Sequence, residues 1–304
     1  MARRDRHRFN NRNSRRRGGR GNDRSLAKTV AMAVTVAGLP TAAIAAAGYF
    51  ALEEFGKERL DKITYCYDRA DQFQTAVFVD FSHTQSGSDS QGRDLENLIA
   101  REYRGLPPNG LLSGFTTARD ITASIAEPSF VICHPAENEG EQQRLGAPEK
   151  SPTVLAREAK DAQAAFEGRL GQLMRDSKDP QKWASTSPIL EQIQGITGYD
   201  FQAPLRKLVI YSDGINNSPN GRFCREKNEL PSFEAFSQRA AYEFIKPLDL
   251  SGVDVEFYLV EFEPLPSPSL PHCTTEELRT FWIDYFKANG AKSIRLIPLG
   301  FGVI

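Results

Sequence analysis

The stretch TAVFVDFSHTQSGSDS, residues 75–90, decides how this chain is read. Ala76, Val77, Phe78 and Val79 are apolar without alternation. That is the pattern of a strand buried on both faces, as in a parallel sheet. The run ends abruptly in a carboxylate, Asp80, and hydroxyls follow at alternate positions, Ser82 and Thr84. A buried strand that ends in an acid and a short ladder of hydroxyls calls for an explanation in chemistry.

Working outward, further strands are expected at Leu112–Thr117, Phe130–Cys133, Lys207–Tyr211, Val253–Phe262 and Ser293–Leu299, all short and rich in Val, Ile, Leu and Phe. Helical spacing of apolar residues falls between them. Leu95, Leu98, Ile99 and Tyr103 share a face over Asp94–Tyr103. Leu155, Ala159, Ala162, Phe166, Leu170 and Leu173 form a stripe over Thr153–Met174. Ile189, Ile193 and Ile196 form a shorter one. A further stripe of Phe233, Phe236, Ala240, Phe244 and Leu248 follows Ser232, and Leu278, Phe281, Trp282, Tyr285 and Phe286 follow a cap at Thr274 or Thr275. Strands alternating with helices predict an α/β doubly wound, mostly parallel central sheet with helices on both faces, as one domain over residues 64–304. Two polar or proline-rich loops interrupt the rhythm, Pro135–Pro152 and Pro264–Pro271.

In open α/β sheets ligands bind outside the carboxyl ends of the strands, near the point where strand order reverses. Asp80 stands at such an end. A second acidic strand end occurs in KLVIYSDGINNS, where Asp213 precedes Gly214 and the glycine lets the chain turn sharply. Between them, in ASTSPILEQIQGI, hydroxyls sit at a helix start and Pro188 suits the first helical position.

These segments resemble the von Willebrand factor A (vWA) domain family. Asp80-Phe81-Ser82-His83-Thr84 resembles its DxSxS motif. Ser187-Pro188-Ile189-Leu190-Glu191-Gln192-Ile193 is similar to its T-P-L-x-x-A-L helix start, and Ser212-Asp213-Gly214 to its third loop, in the family's order. The resemblance covers about residues 75–300, with FWIDYFKANGAKSIRLIP filling the last helix and strand. It implies a metal-ion-dependent adhesion site. Ser82, Thr84 and Ser187 would touch a divalent cation, magnesium or another such as manganese. Asp80 and Asp213 would neutralise it largely through water, and a protein partner would supply the remaining carboxylate. A hard, hydrated cation takes oxygen donors and keeps several waters. Thr84 and Ser187 replace the family's serine and threonine, and Thr186 competes with Ser187 as ligand.

Two rivals stand beside this reading. In a haloacid-dehalogenase-like phosphotransferase, DFSHT matches the first motif except at its second aspartate. Asp80 would be the nucleophile, Asp213 would help hold magnesium, and Ser82 would take the general-acid position, for which a serine hydroxyl is poorly matched. The second rival is a scaffold whose metal site is vestigial. No G-x-S-x-G elbow, G-x-G-x-x-G turn or Walker lysine loop is present. His83, beside the site with no oriented partner in the sequence, reads as a surface or supporting residue.

The remaining features concern location. The chain has 304 residues and a net charge of −1, but residues 1–28 hold eleven Arg or Lys and two Asp, leaving 27 basic and 37 acidic residues beyond. This basic tail is too polar and glycine-rich to fold alone and reads as a cytoplasmic topology signal, with nucleic acid not expected as a partner. Residues 29–52 carry no charge. As a helix they would run about 36 Å, against a bilayer core of about 30 Å. A membrane-spanning anchor follows, N-terminus inside, with a connector at 53–63 and the body extracytoplasmic. The alternatives are a cleaved signal, since Ala43-Ile44-Ala45 fits a cleavage site although the run is longer than signals usually have, and a buried core helix, which rarely stays charge-free for so long. Gly38, Ala42, Ala45, Ala46 and Gly48 would allow helix association and a homo-oligomer. Four cysteines, Cys66, Cys133, Cys224 and Cys273, suit two disulfides in an exported domain, with three pairings open. Free buried thiols are the second reading, and zinc between Cys133-His134 and His272-Cys273 the third, because adjacent ligands chelate poorly. The whole resembles bacterial membrane-anchored proteins of the vWA type.

Overall fold

The computed structural model describes residues 60–67, 71–81, 89–117, 127–201, 203–224, 230–260 and 273–299. The basic tail, the apolar segment at 29–52, most of the connector and the Pro264–Pro271 loop lie outside the described residues. No helix among the described residues is long and apolar enough to cross a membrane.

Strand β1 is Gln74–Val79, followed by helix α1 (Asp89–Arg104), β2 (Leu111–Thr116), β3 (Phe130–Cys133), α2 (Glu139–Arg144), α3 (Pro152–Ser177), α4 (Ile189–Thr197) and β4 (Leu205–Ser212). A small hairpin, β5 (Asn217–Ser218) and β6 (Gly221–Arg222), leads to α5 (Phe233–Ser237), a 3₁₀ turn at Ala240–Phe244, β7 (Asp254–Val260), α6 (Thr275–Ala288) and β8 (Ser293–Leu299). Six strands form one sheet in the order β3-β2-β1-β4-β7-β8. All neighbours are parallel except β2 and β3, which run antiparallel.

The unbroken apolar runs are explained by two cores. Ala76, Phe78, Leu208, Ile210, Val255, Phe257 and Leu259 point to one face, against Ile189, Ile193 and Ile196 of α4 and Phe281, Trp282, Tyr285 and Phe286 of α6. Val77, Val79, Val209, Tyr211, Tyr258 and Val260 point to the other, against Leu95, Leu98, Ile99 and Tyr103 of α1 and Phe166, Leu170 and Leu173 of α3. Tyr103 and Phe166 stack at 4.1 Å where α1 and α3 meet. Successive strand residues alternate faces, so a strand covered on both sides must be apolar throughout.

Three expectations need correction. The stripe from Phe233 to Leu248 is not one helix. Helix α5 ends at Ser237, Arg239 is extended, and a 3₁₀ turn follows. Phe244 and Leu248 are therefore left exposed, at 73% and 71%. The Pro135–Pro152 loop contains α2, capped by Asn138, and the buried Gln142 side chain accepts from Lys150 N, closing the loop on itself. Pro188 sits at the N-cap of α4 rather than its first turn.

The cysteines pair Cys66–Cys133 and Cys224–Cys273, with Cα separations of 5.0 and 5.4 Å. The first ties residues 60–67 to the amino-terminal edge of the sheet, because Cys133 lies opposite Leu111 at the start of β2. The second joins the segment after β6 to the start of α6.

Candidate functional site

Strand order reverses between β1 and β4: β2 and β3 lie to one side of β1, β7 and β8 to the other side of β4. Asp80 follows β1 and Asp213 follows β4, so both acids stand at the switch point where such sheets bind ligands. Register completes the row. Val79 lies opposite Thr116 on β2 and opposite Tyr211 on β4, which sets Asp80 beside Thr117 and Ser212 one step further on.

The Asp80 carboxylate is fully buried. Thr117 Oγ1 donates to its Oδ1 at 2.8 Å. Ser187 Oγ and Ser212 Oγ donate to its Oδ2 at 2.5 and 2.9 Å. Ser212 Oγ also lies 3.5 Å from Asp213 Oδ1, so a single serine hydroxyl stands between the two acids. Asp213 Oδ1 accepts from Ile215 N at 2.9 Å, and Gly214 N donates to Ser212 Oγ at 3.1 Å. Burying a carboxylate is costly unless donors satisfy it, and short charge-assisted bonds of this kind are the strong ones.

The backbone around the rim is locked from several sides. Phe81 N donates to Thr117 Oγ1 at 2.7 Å, and Ala184 N donates to Phe81 O at 2.9 Å, which draws the second loop onto the first. Ser187 and Asn217 exchange backbone bonds of 3.2 and 2.7 Å. Gly214 has φ +73°, and a Cβ there would meet Leu259 Cδ1 at 2.7 Å and Trp282 Nε1 at 3.0 Å. Glycine is required on both counts. Its carbonyl accepts from Trp282 Nε1 at 3.0 Å, fastening the third loop to α6.

Of the five expected ligands, the structure brings Asp80, Ser187 and Asp213 together. Ser82 and Thr84 lie outside the described residues, as does His83. Between Thr186 and Ser187, it is Ser187 whose hydroxyl reaches Asp80. Sequence reasoning missed Thr117 and Ser212. Both were within reach of it: Ser212 belongs to the quoted third-loop tripeptide, and Thr117 is a hydroxyl at the carboxyl end of a strand.

The donor chemistry of the rim is carboxylate and hydroxyl oxygen, the set that suits magnesium, calcium or manganese rather than a thiolate-seeking metal. All four cysteines are consumed in disulfides. Among the described residues no group of three or more His, Cys, Asp or Glu side chains gathers as a metal cluster. An oxygen-ligated cation fits the rim; a cysteine–histidine zinc site does not. A fully buried carboxylate engaged on both oxygens is also a poor nucleophile toward an incoming phosphate, against the phosphotransferase reading.

No family model matches the chain, and no curated protein does. Remote likenesses exist among solved structures. The ArnB paralog VWA2 from Sulfolobus acidocaldarius is 10% identical over 64% of this chain and 36% of its own, with a TM-score of 0.32. Proximal thread matrix protein 1 from the mussel byssus is 13% identical over 75% and 42%, at 0.34. The human COPII-coat protein Sec24c is 14% identical over 75% and 30%, at 0.39. The chain thus spans under half the length of each of these three. Likenesses this remote carry no argument about activity or partners.

Proposed function

We propose that this chain is a vWA-like interaction module that binds a divalent cation at the β1/β4 switch point and, through it, an acidic group of a protein partner. The observation that carries the reading is the convergence of three hydroxyls on the buried Asp80 carboxylate, with Asp213 one hydroxyl away. Asp80, Ser82, Thr84, Ser187 and Asp213 would hold the ion, preferably magnesium. A bound cation would supply an electrostatic anchor for a partner carboxylate, with the protein's hydroxyls fixing its position.

The module is read as extracytoplasmic, carried by residues 29–52 as a single-pass anchor with the basic tail in the cytoplasm. The two disulfides are in keeping with an oxidising compartment. Association through the small residues of the anchor would multiply weak partner contacts.

Calorimetric titration of the full chain with magnesium and manganese tests the ion site. Binding by the parent and none by Asp80→Ala is expected; equal heats from both would sink it. Crosslinking in intact membranes, with and without chelator, would then reveal a partner whose capture depends on the ion. Protection of the body from protease added to the cytoplasmic side tests the topology.

A further inference from the structure

Ser187 reaches the rim just ahead of helix α4, yet that helix has no cap of its own. Pro188 stands at its N-cap with no side-chain hydrogen bond. Proline offers no side-chain acceptor, and the first N–H groups of a helix need one from elsewhere. Leu190 N finds it in Asn216 Oδ1 at 2.9 Å, from 26 residues further along the chain.

The same side chain is used at its other end. Asn216 Nδ2 donates to Ser218 Oγ at 3.2 Å and to Gly221 O at 2.5 Å, closing the β5–β6 hairpin. The Asn216 backbone carbonyl accepts from Phe223 N at 2.9 Å. Asn216 is wholly buried. A buried amide with both ends engaged is held rigidly, since turning it would strand donors against donors. One residue on, Asn217 makes the paired backbone bonds to Ser187.

We propose that Asn216 is the positioning residue of the rim. It caps α4 from outside, fixes the hairpin against it, and so sets the Ser187 hydroxyl at Asp80 while Asp213 turns in from the adjoining loop. The placement stands on these contacts alone; its consequence for ligand binding rests on the ion-site reading above. Asp213 is also held within its own segment by Ile215 N, but Ser187 takes its position from across the two loops, through Asn216 and Asn217.

The test uses the full-length chain in three forms, parent, Asn216→Ala and Asn216→Asp, with Asn289→Ala as control. Asn289 is another polar side chain with several bonds, to Tyr242 and Tyr285, at the far end of α6. Hydrogen exchange read by mass spectrometry should show Asn216→Ala losing protection over residues 187–192 and 217–223 together. Magnesium affinity should weaken by about tenfold or more, the scale of a buried hydrogen bond lost. Asn216→Asp keeps the acceptor for Leu190 N and loses the amide donors, so it should retain protection over 190–192 and lose it over 217–223, with Ser187 N following Asn217. Asn289→Ala should leave both segments and the ion affinity as in the parent. The proposal is overturned if residues 187–192 stay protected in Asn216→Ala, or if Asn289→Ala opens the same segments. If Asn216→Ala does not fold, Asn216→Asp decides the matter by whether its two segments separate. If the parent binds no magnesium, the ion-site reading fails while the exchange result still judges the positioning role.

Discussion

Two buried carboxylate clusters sit on the same sheet and are satisfied by different kinds of donor. At the upper rim, Asp80 is held by hydroxyls from three separate strands and loops. Lower down, over β4, β7 and β8, Glu102 and Glu256 are held by cations. Lys207 Nζ lies 2.6 Å from Glu102 and 2.8 Å from Glu256 Oε1, and Arg295 pairs with that same Glu256 oxygen. Tyr258 donates to Glu256 at 3.0 Å and itself accepts from Arg101. A carboxylate satisfied by an ammonium or guanidinium is complete within the protein. Hydroxyls satisfy hydrogen bonding but bring no charge, and a cluster of that kind suits a cation from solution. On the function proposed above, the difference separates a fastening from a site.

That contrast is open to direct attack. The largest effect is expected from Lys207→Met, which leaves two buried glutamates without their shared ammonium. A loss of about 3 kcal/mol in urea unfolding is expected, at the low end for a broken buried pair because Lys207 retains some contact with water. Added magnesium should not restore it.

Next, magnesium at about a hundredfold excess over its Kd should stabilise the parent by about 2.7 kcal/mol, by mass action. Asp80→Ala should abolish that gain and Lys207→Met should keep it. A magnesium response lost in Lys207→Met would mean the two clusters are not independent.

Gly214→Ala should cost about 2 kcal/mol, from a left-handed φ and a crowded approach to Leu259 and Trp282. Measured with and without magnesium, it asks whether the third loop's turn matters to the ion as well as to the fold.

The smallest effect concerns pH. Burial pushes the Glu256 carboxyl up, but hydrogen bonds from Lys207 and Arg295 outweigh it and hold it below its ordinary value. A depressed carboxylate contributes stability that is present above its unfolded pKa and lost as pH falls through its folded one. Burial pushes Lys207 down, but Glu102 and Glu256 outweigh it and hold it raised. Its contribution is present below its unfolded pKa and lost as pH rises through the folded one. Stability in the parent should therefore fall below about pH 4 and above about pH 10.4, the ordinary positions of the two groups. Glu256→Gln should flatten the acid limb.

Much of the fold was legible in the chain. Phe130–Cys133 and Ser293–Leu299 fall where the apolar runs place them, and the other strands differ by a residue or two at their ends. Thr274 and Glu277 form the capping box that starts α6. Less legible was the segment from Phe233 to Leu248, where helical spacing continues but the backbone breaks at Arg239. Spacing records which residues are apolar, and it cannot show that a helix stops and a new turn begins with part of the stripe facing water.

By itself the sequence determined that Asp80 and Asp213 end buried strands, that hydroxyls lie near them, and that the cysteines suit pairing. Only the tertiary structure decided that Ser187 rather than Thr186 meets Asp80, that Thr117 and Ser212 donate to it as well, that Cys66 joins Cys133, and that β3 runs against β2. The reason is that strand composition is a local property, written in each segment's need for burial. The partners of Asp80 come from 37, 107 and 132 residues away, and which of them arrive depends on the order and register in which the strands assemble.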